Sequence, residues 1–176
     1  MKKIISLVVS LTAISAVCAG VLAYIDSITK EPIKATAAAN EQRAIKAVLP
    51  PEVATVEAAG EAFVGKDASG KVVGYAAKGM DAGGYGGDIV LMVGFTPDYK
   101  IVSYRKLEAA ETPGLGANLT TEGFMKQFSG MDASSPIAVR KDGGNVEAIT
   151  SATITSRAVC GAINNAKSKL EGLLKR

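Results

Sequence analysis

The chain has 176 residues, with 20 Lys and Arg set against 17 Asp and Glu and a net charge of +3. That length allows one domain with a real core, and the small charge, with no basic patch interleaved with aromatics, speaks against a nucleic-acid partner. There is no His and there are two Cys, which excludes a Ser-His-Asp hydrolase and argues against a zinc or haem centre.

Lys2 and Lys3 precede a run from Ile4 to Ile25 that contains no charged residue. As a helix this run reaches about 33 Å at 1.5 Å per residue, against a hydrocarbon core of about 30 Å. The two lysines favour a cytoplasmic N-terminus, so the run reads as one transmembrane anchor with the rest of the chain exported to the periplasm or exterior. A cleaved signal peptide, with small residues between Ala13 and Gly20, is one alternative; a lipoprotein signal at Cys18 is a weaker one, because Val17 suits the position before a lipidated Cys poorly. From Ile33 to Leu49 the abundant Ala, Glu, Gln, Lys and Arg favour helix, and Pro50-Pro51 ends it. Three regions result: 1–25, cytoplasmic tip and anchor; 26–51, juxtamembrane helix; 52–176, the domain.

Within the domain, Phe63-Val64, Val72 to Ala77, Ile89 to Phe95 and Ile101 to Leu107 are rich in β-branched and aromatic residues and read as strands. Asp67-Ala68-Ser69-Gly70 and Thr96-Pro97-Asp98-Tyr99 read as the turns between them. Ile89 to Val93 is apolar on both faces and predicts a central, buried strand. The helices that alternate with strands in a doubly wound parallel sheet are missing, so the pattern predicts an antiparallel meander. Glu122 to Phe128 predicts a short helix capped by Thr120 or Thr121. Ile137 to Val139 and Val146 to Ile149 predict short strands around an Asp142-Gly143-Gly144-Asn145 turn. A final helix follows from about Thr155 to Leu174, with Val159, Ile163, Ala166, Leu170, Leu173 and Leu174 on one face. The expected class is α+β: an N-terminal transmembrane helix, then one extracytoplasmic domain with an antiparallel sheet and flanking helices.

Three segments carry candidate chemistry. Glu147-Ala148-Ile149-Thr150-Ser151-Ala152-Thr153-Ile154-Thr155-Ser156-Arg157 sets several hydroxyls at the mouth of the last helix. Free amides and the positive dipole end there favour a phosphate; an over-supplied N-cap is the alternative. Glu111-Thr112-Pro113-Gly114-Leu115-Gly116 combines a fixed φ with two glycines, which suits a tight turn or close approach to a flat ligand. Gly83-Gly84-Tyr85-Gly86-Gly87-Asp88 is no P-loop, because no Lys-Ser/Thr follows and the next run reads as a strand. Tyr85 either stacks on a ligand or fills the core, and aromatic packing favours the core.

Taken in order, the three segments resemble the extracytoplasmic FMN-binding domains of ion-pumping redox complexes. The family motif reads acid-x-x-(Ser/Thr)-Gly-Ala-Thr, and its final Thr carries FMN through a phosphodiester. In that register Glu147 replaces the usual Asp, Thr150 and Ala152 match, Ser151 replaces Gly, and Thr153 is the acceptor. The resemblance implies that Glu111, Thr112, Gly114, Leu115 and Gly116 line the ring or ribityl chain, with Leu115 against the ring, and that Tyr85 contributes from its own segment. A His two residues before the Glu is common in the family; Ala109 stands there. Arg157, one turn into the helix, is either a phosphate partner or a surface residue.

The resemblance is nearest to the G subunit of Rnf-type complexes, which join ferredoxin and NAD; its sister is the C subunit of the sodium-pumping NADH:quinone reductase. It implies an electron-transfer protein with one covalent FMN, no catalytic residue and no metal of its own. The implied partners are the other membrane subunits, the lipid bilayer and a flavin transferase for maturation. NAD and ferredoxin are expected on other subunits, and this chain has neither a G-x-G-x-x-G fingerprint nor a Cys cluster. The remaining alternatives are the quinone-reductase protein, a freestanding membrane-anchored FMN protein and a membrane-anchored scaffold.

Overall fold

The computed structural model describes residues 2–174. These fall into two compact units that divide between Ala39 and Asn40. The first helix, α1, runs Lys2–Val48 without a break, with Pro32 inside it. The anchor and juxtamembrane stretches are therefore one helix, because no glycine or second proline interrupts residues 26–49. In the first unit the apolar window is not buried at all, and among the described residues this is the one helix long and apolar enough to cross a membrane. One of its hydroxyls turns back on the helix: Ser10 donates to the Ser6 carbonyl at 2.6 Å, and beyond the apolar run Thr29 donates to the Ile25 carbonyl at 2.8 Å. Such a return bond satisfies the hydroxyl within the helix itself.

The second unit opens with the end of α1, where Ala44, Ile45 and Val48 are buried. Five antiparallel strands follow: β1 Thr55–Ala59, β2 Ala62–Lys66, β3 Val72–Gly84, β4 Gly87–Phe95 and β5 Ile101–Glu108. Their order in the sheet is their order in the chain, the meander that the sequence predicts. β4 is buried from Ile89 to Phe95. Leu91 and Val93 join the core on one face, while Met92 packs with Ala44, Ile45, Val48 and Leu49 on the other. Burying each such side chain contributes about 1.5–3 kcal/mol. The end of α1 comes so close that a Cβ at Gly94 would lie 1.8 Å from the Val48 carbonyl oxygen.

The helix α2 spans Glu122–Lys126, and α3 spans Thr153–Leu174. α3 covers the first face of the sheet with Val159, Ile163, Ala166 and Leu170 buried, the face read from their spacing. Three expectations need correction. β1 is an additional strand; it is mostly exposed and carries no apolar alternation to reveal it. β3 extends to Gly84, past its apolar stretch, because pairing with β4 supports the glycines. The two short strands expected at Ile137–Val139 and Val146–Ile149 reduce to a single parallel bridge between Val139 and Val146 around a 3-10 turn, Arg140–Asp142.

One buried aromatic fixes the next region of interest. The Tyr104 hydroxyl, on β5, donates to the Leu119 carbonyl, and its ring meets Phe128 edge-on at 5.4 Å. Leu119 lies in a 3-10 helix, Gly116–Thr120, directly after the Glu111–Gly116 segment. Burial pushes the Tyr104 phenol above its ordinary value, so it serves as a neutral donor.

Candidate functional site

The Glu111–Gly116 segment is a tight turn. The Leu115 amide donates to the Thr112 carbonyl at 3.2 Å, and Gly114 has φ 75°. Pro in the second position with a positive-φ Gly in the third is the pattern of a type II turn. The Asn118 side chain donates to the Gly114 carbonyl at 2.9 Å and holds the loop from behind. Leu115 is left 42% exposed.

The second segment closes the β3–β4 hairpin, where Gly84 pairs with Gly87 and Gly87 has φ 117°. Tyr85 sits at its tip and is 72% exposed. The expected core role of Tyr85 is therefore overturned: the hairpin tip extends beyond the helix-covered part of the sheet.

Glu111 joins the three segments. Its Oε1 accepts from the Gly86 amide at 3.2 Å, and its Oε2 accepts from the Thr155 hydroxyl at 2.7 Å. Gly86, Glu111 and Thr155 come from three stretches far apart in the chain. The packing around this carboxylate leaves no room for a methyl group. A Cβ at Gly116 would lie 2.2 Å from Glu111 Oε2, and one at Gly86 would lie 1.8 Å from the Ala110 carbonyl oxygen.

The third segment forms the start of α3. The Ser156 amide donates to the Ala152 carbonyl at 3.0 Å, so Ala152 is the N-cap and Thr153 the first helical residue. A methyl side chain cannot cap, so Ala152 supplies no acceptor for the first-turn amides of Thr153, Ile154 and Thr155. Ser151 holds φ 61°, the left-handed region that favours glycine. This is the position where the family motif has Gly. Ser156 is fully buried; its hydroxyl donates to Ala152 and accepts from the Ile149 amide, both at 2.9 Å.

These elements enclose a cleft of about 500 Å³ lined by Tyr85, Glu111, Thr112, Leu115, Gly116, Ser151, Ala152, Thr153, Ile154 and Thr155. Its size falls within the range of small-molecule sites. Of the site residues expected from sequence, Gly114 and Thr150 line a neighbouring groove instead, which shares Leu115 and Ser151 with the cleft. Thr153 also borders a smaller groove carrying Arg140 and Lys141. Two cleft residues escape the sequence reading. Ile154 is 48% exposed and looks like a surface residue in sequence, while the role of Thr155 depends on a partner 44 positions away.

Arg157 faces elsewhere. Its Nε and Nη2 each lie 2.7 Å from an Asp142 oxygen, a two-pronged pair. That hydrogen bond is the main reason why the Asp142 carboxyl lies below the ordinary value. Among the expected phosphate partners, Arg157 is therefore already committed. Cys160 is buried, and burial pushes its thiol up to about 12.

Residues 84–168 match the FMN-binding domain family. The chain is 34% identical to the G subunit of the ion-translocating oxidoreductase complex of Methanosarcina acetivorans, over 94% of this chain and 93% of that one. It is 41% identical to the G subunit of the proton-translocating ferredoxin:NAD(+) oxidoreductase complex of Clostridium ljungdahlii, over 47% of this chain and 46% of that one. The crystal structure of Shewanella oneidensis NqrC aligns with a TM-score of 0.52 at 23% identity, over 76% of this chain and 74% of that one, a likeness of fold.

Proposed function

The chain belongs to the family of G subunits of ion-translocating oxidoreductase complexes, and from that membership we propose that it is an electron relay with one FMN held covalently on Thr153. The observation that carries this reading is the position of the Thr153 hydroxyl. It stands at the first residue of α3, at the meeting of the cleft and an uncapped helix N-terminus. A phosphodiester there keeps one negative charge, which the first-turn amides and the dipole of α3 stabilise. Leu115, Ile154 and the ring of Tyr85 offer apolar surface in the cleft, and Thr112, Ser151 and Glu111 offer polar contacts. This mixture suits a flat ring with a polar chain. When bound, FMN supplies reversible electron transfer, and the protein sets its position and potential.

The apolar stretch of α1 anchors the chain in the membrane with Lys2 and Lys3 on the cytoplasmic side and the domain outside. Electrons from cytoplasmic ferredoxin or NADH then reach the cleft through partner membrane proteins of the complex. The sheet, α3, the two glycine-rich segments and the hydroxyl-rich one all serve the cleft, which a plain scaffold does not require.

The test is co-expression of the full chain with a flavin transferase, followed by in-gel fluorescence after denaturation. The parent chain gives a fluorescent band, expression without the transferase gives none, and Thr153→Ala gives none. A band retained in Thr153→Ala overturns the assignment.

A further inference from the structure

Among the described residues the cleft holds one charged side chain. Its lining comprises Tyr85, Thr and Ser hydroxyls, small residues and two aliphatics, and among these only Glu111 carries a charge. Among the described residues no Lys or Arg shares the lining. The two nearby arginines are paired outside it, Arg157 with Asp142 and Arg140 with Glu147. Glu111 is half-buried, and a charge partly withdrawn from bulk water acts on a neighbour at an effective dielectric below that of water, where a unit charge has a larger effect.

We infer that Glu111 sets the reduction potential of the flavin in this cleft, and that Thr155 and Gly86 hold its carboxylate in place for that task. The inference rests on the reading of Thr153 as the flavin acceptor. Its physical content is simple. Full reduction of the ring takes up two electrons, delivered by a partner redox centre in the complex, and one proton from water. The net gain is one negative charge. Glu111 places a like charge in the same cleft, so it disfavours that gain and lowers the potential. The Thr155 hydroxyl and the Gly86 amide donate to the carboxylate, which disperses its charge and moderates the effect. Glu111 is thus a positioning and tuning residue, with no bond made or broken at its own atoms. Gly116 belongs to the same device, since any side chain there would displace Oε2.

Two substitutions separate charge from shape. Glu111→Gln removes the charge and keeps both hydrogen bonds: the amide oxygen accepts from Gly86, and the amide nitrogen donates to the Thr155 hydroxyl. Thr155→Val keeps the charge and the side-chain volume but removes one donor. The full chain, solubilised after co-expression with a flavin transferase, is first checked for its covalent label and then titrated with dithionite in the presence of mediators while its absorbance is recorded. The potential is expected to rise in Glu111→Gln and to fall in Thr155→Val. A potential in Glu111→Gln at or below that of the parent overturns the inference. If Glu111→Gln yields no labelled protein, Thr155→Val decides alone, and a potential at or above that of the parent overturns it. Absence of label on the parent chain refutes the acceptor reading itself, and this inference falls with it. A purely structural role for Glu111 predicts lost label or lost folding without opposite shifts in potential.

Discussion

Replacing Gly116 with Ala introduces a carbon where two oxygens already sit. The new Cβ would lie 2.2 Å from Glu111 Oε2 and 2.6 Å from Thr155 Oγ1, against an ordinary contact of about 3.5–4.0 Å. Neither oxygen has an easy retreat. Thr155 is 1% exposed, and Glu111 is held at both oxygens. The carboxylate must swing away and break the 2.7 Å bond from Thr155. Overpacking costs about 1–3 kcal/mol, and losing a hydrogen bond to a charged group costs about 1.5–3 kcal/mol. Both fall on one contact and do not add in full, which leaves about 3 kcal/mol. For a domain of this size that corresponds to a drop in Tm of about 10 °C. Gly114→Ala is the internal control. Its Cβ meets nothing within 4 Å, but φ is 75°, so the backbone alone costs about 1–2 kcal/mol, or about 5 °C. Scanning calorimetry of the solubilised full chain measures both. A Gly116→Ala protein that melts at or above Gly114→Ala refutes the packing described around Glu111.

Ser151 at φ 61° carries a left-handed cost of about 1–2 kcal/mol, offset in a Gly variant by about 0.5–1 kcal/mol of chain entropy. Ser151→Gly is therefore expected to raise Tm slightly and Ser151→Val to lower it clearly, since a β-branched residue fits that region worst; equal Tm values for the two contradict this. Arg157→Gln should raise the Asp142 carboxyl toward its ordinary value in an NMR titration, because the Arg157 hydrogen bond is what lowers it most. The linkage follows in sign. With a depressed folded value, the pair's contribution is full above the unfolded carboxylate range and fades as pH falls through the folded value. An unmoved Asp142 titration would refute the pairing. Protease added to intact cells whose outer membrane is absent or permeabilised should digest the chain beyond about Asp26, where the apolar run ends; digestion only after lysis places the domain in the cytoplasm and removes the relay reading.

Much of this architecture is legible in the amino-acid pattern where burial is one-dimensional. Ile89 to Val93 is apolar at every position because β4 is covered on both faces, and α3 shows its buried face in its own spacing. β1 hides because an exposed edge strand needs no apolar alternation, and Glu57 and the two alanines Ala58 and Ala59 weaken the β signal further. The cleft divides along the same line. Motif register points to Thr153 and to the Glu111–Gly116 turn. It cannot show that Glu111 and Thr155 are partners, because a contact across 44 residues leaves no local trace. Tyr85 is misread for a related reason: an aromatic among glycines has no periodicity to say which way it faces. Ser151 is the reverse case, a departure from the motif whose meaning becomes visible only with the backbone angle.

The thiols have a practical consequence. Cys18 and Cys160 are both free, and the thiol of Cys160 is walled into the core. No crosslink holds this domain together, so its fold needs no oxidative maturation and survives the strong reductants used to drain a flavin of its oxidised form. While the domain stays folded, the buried thiol of Cys160 is expected to be closed to a thiol-reactive dye and to open to it only on unfolding.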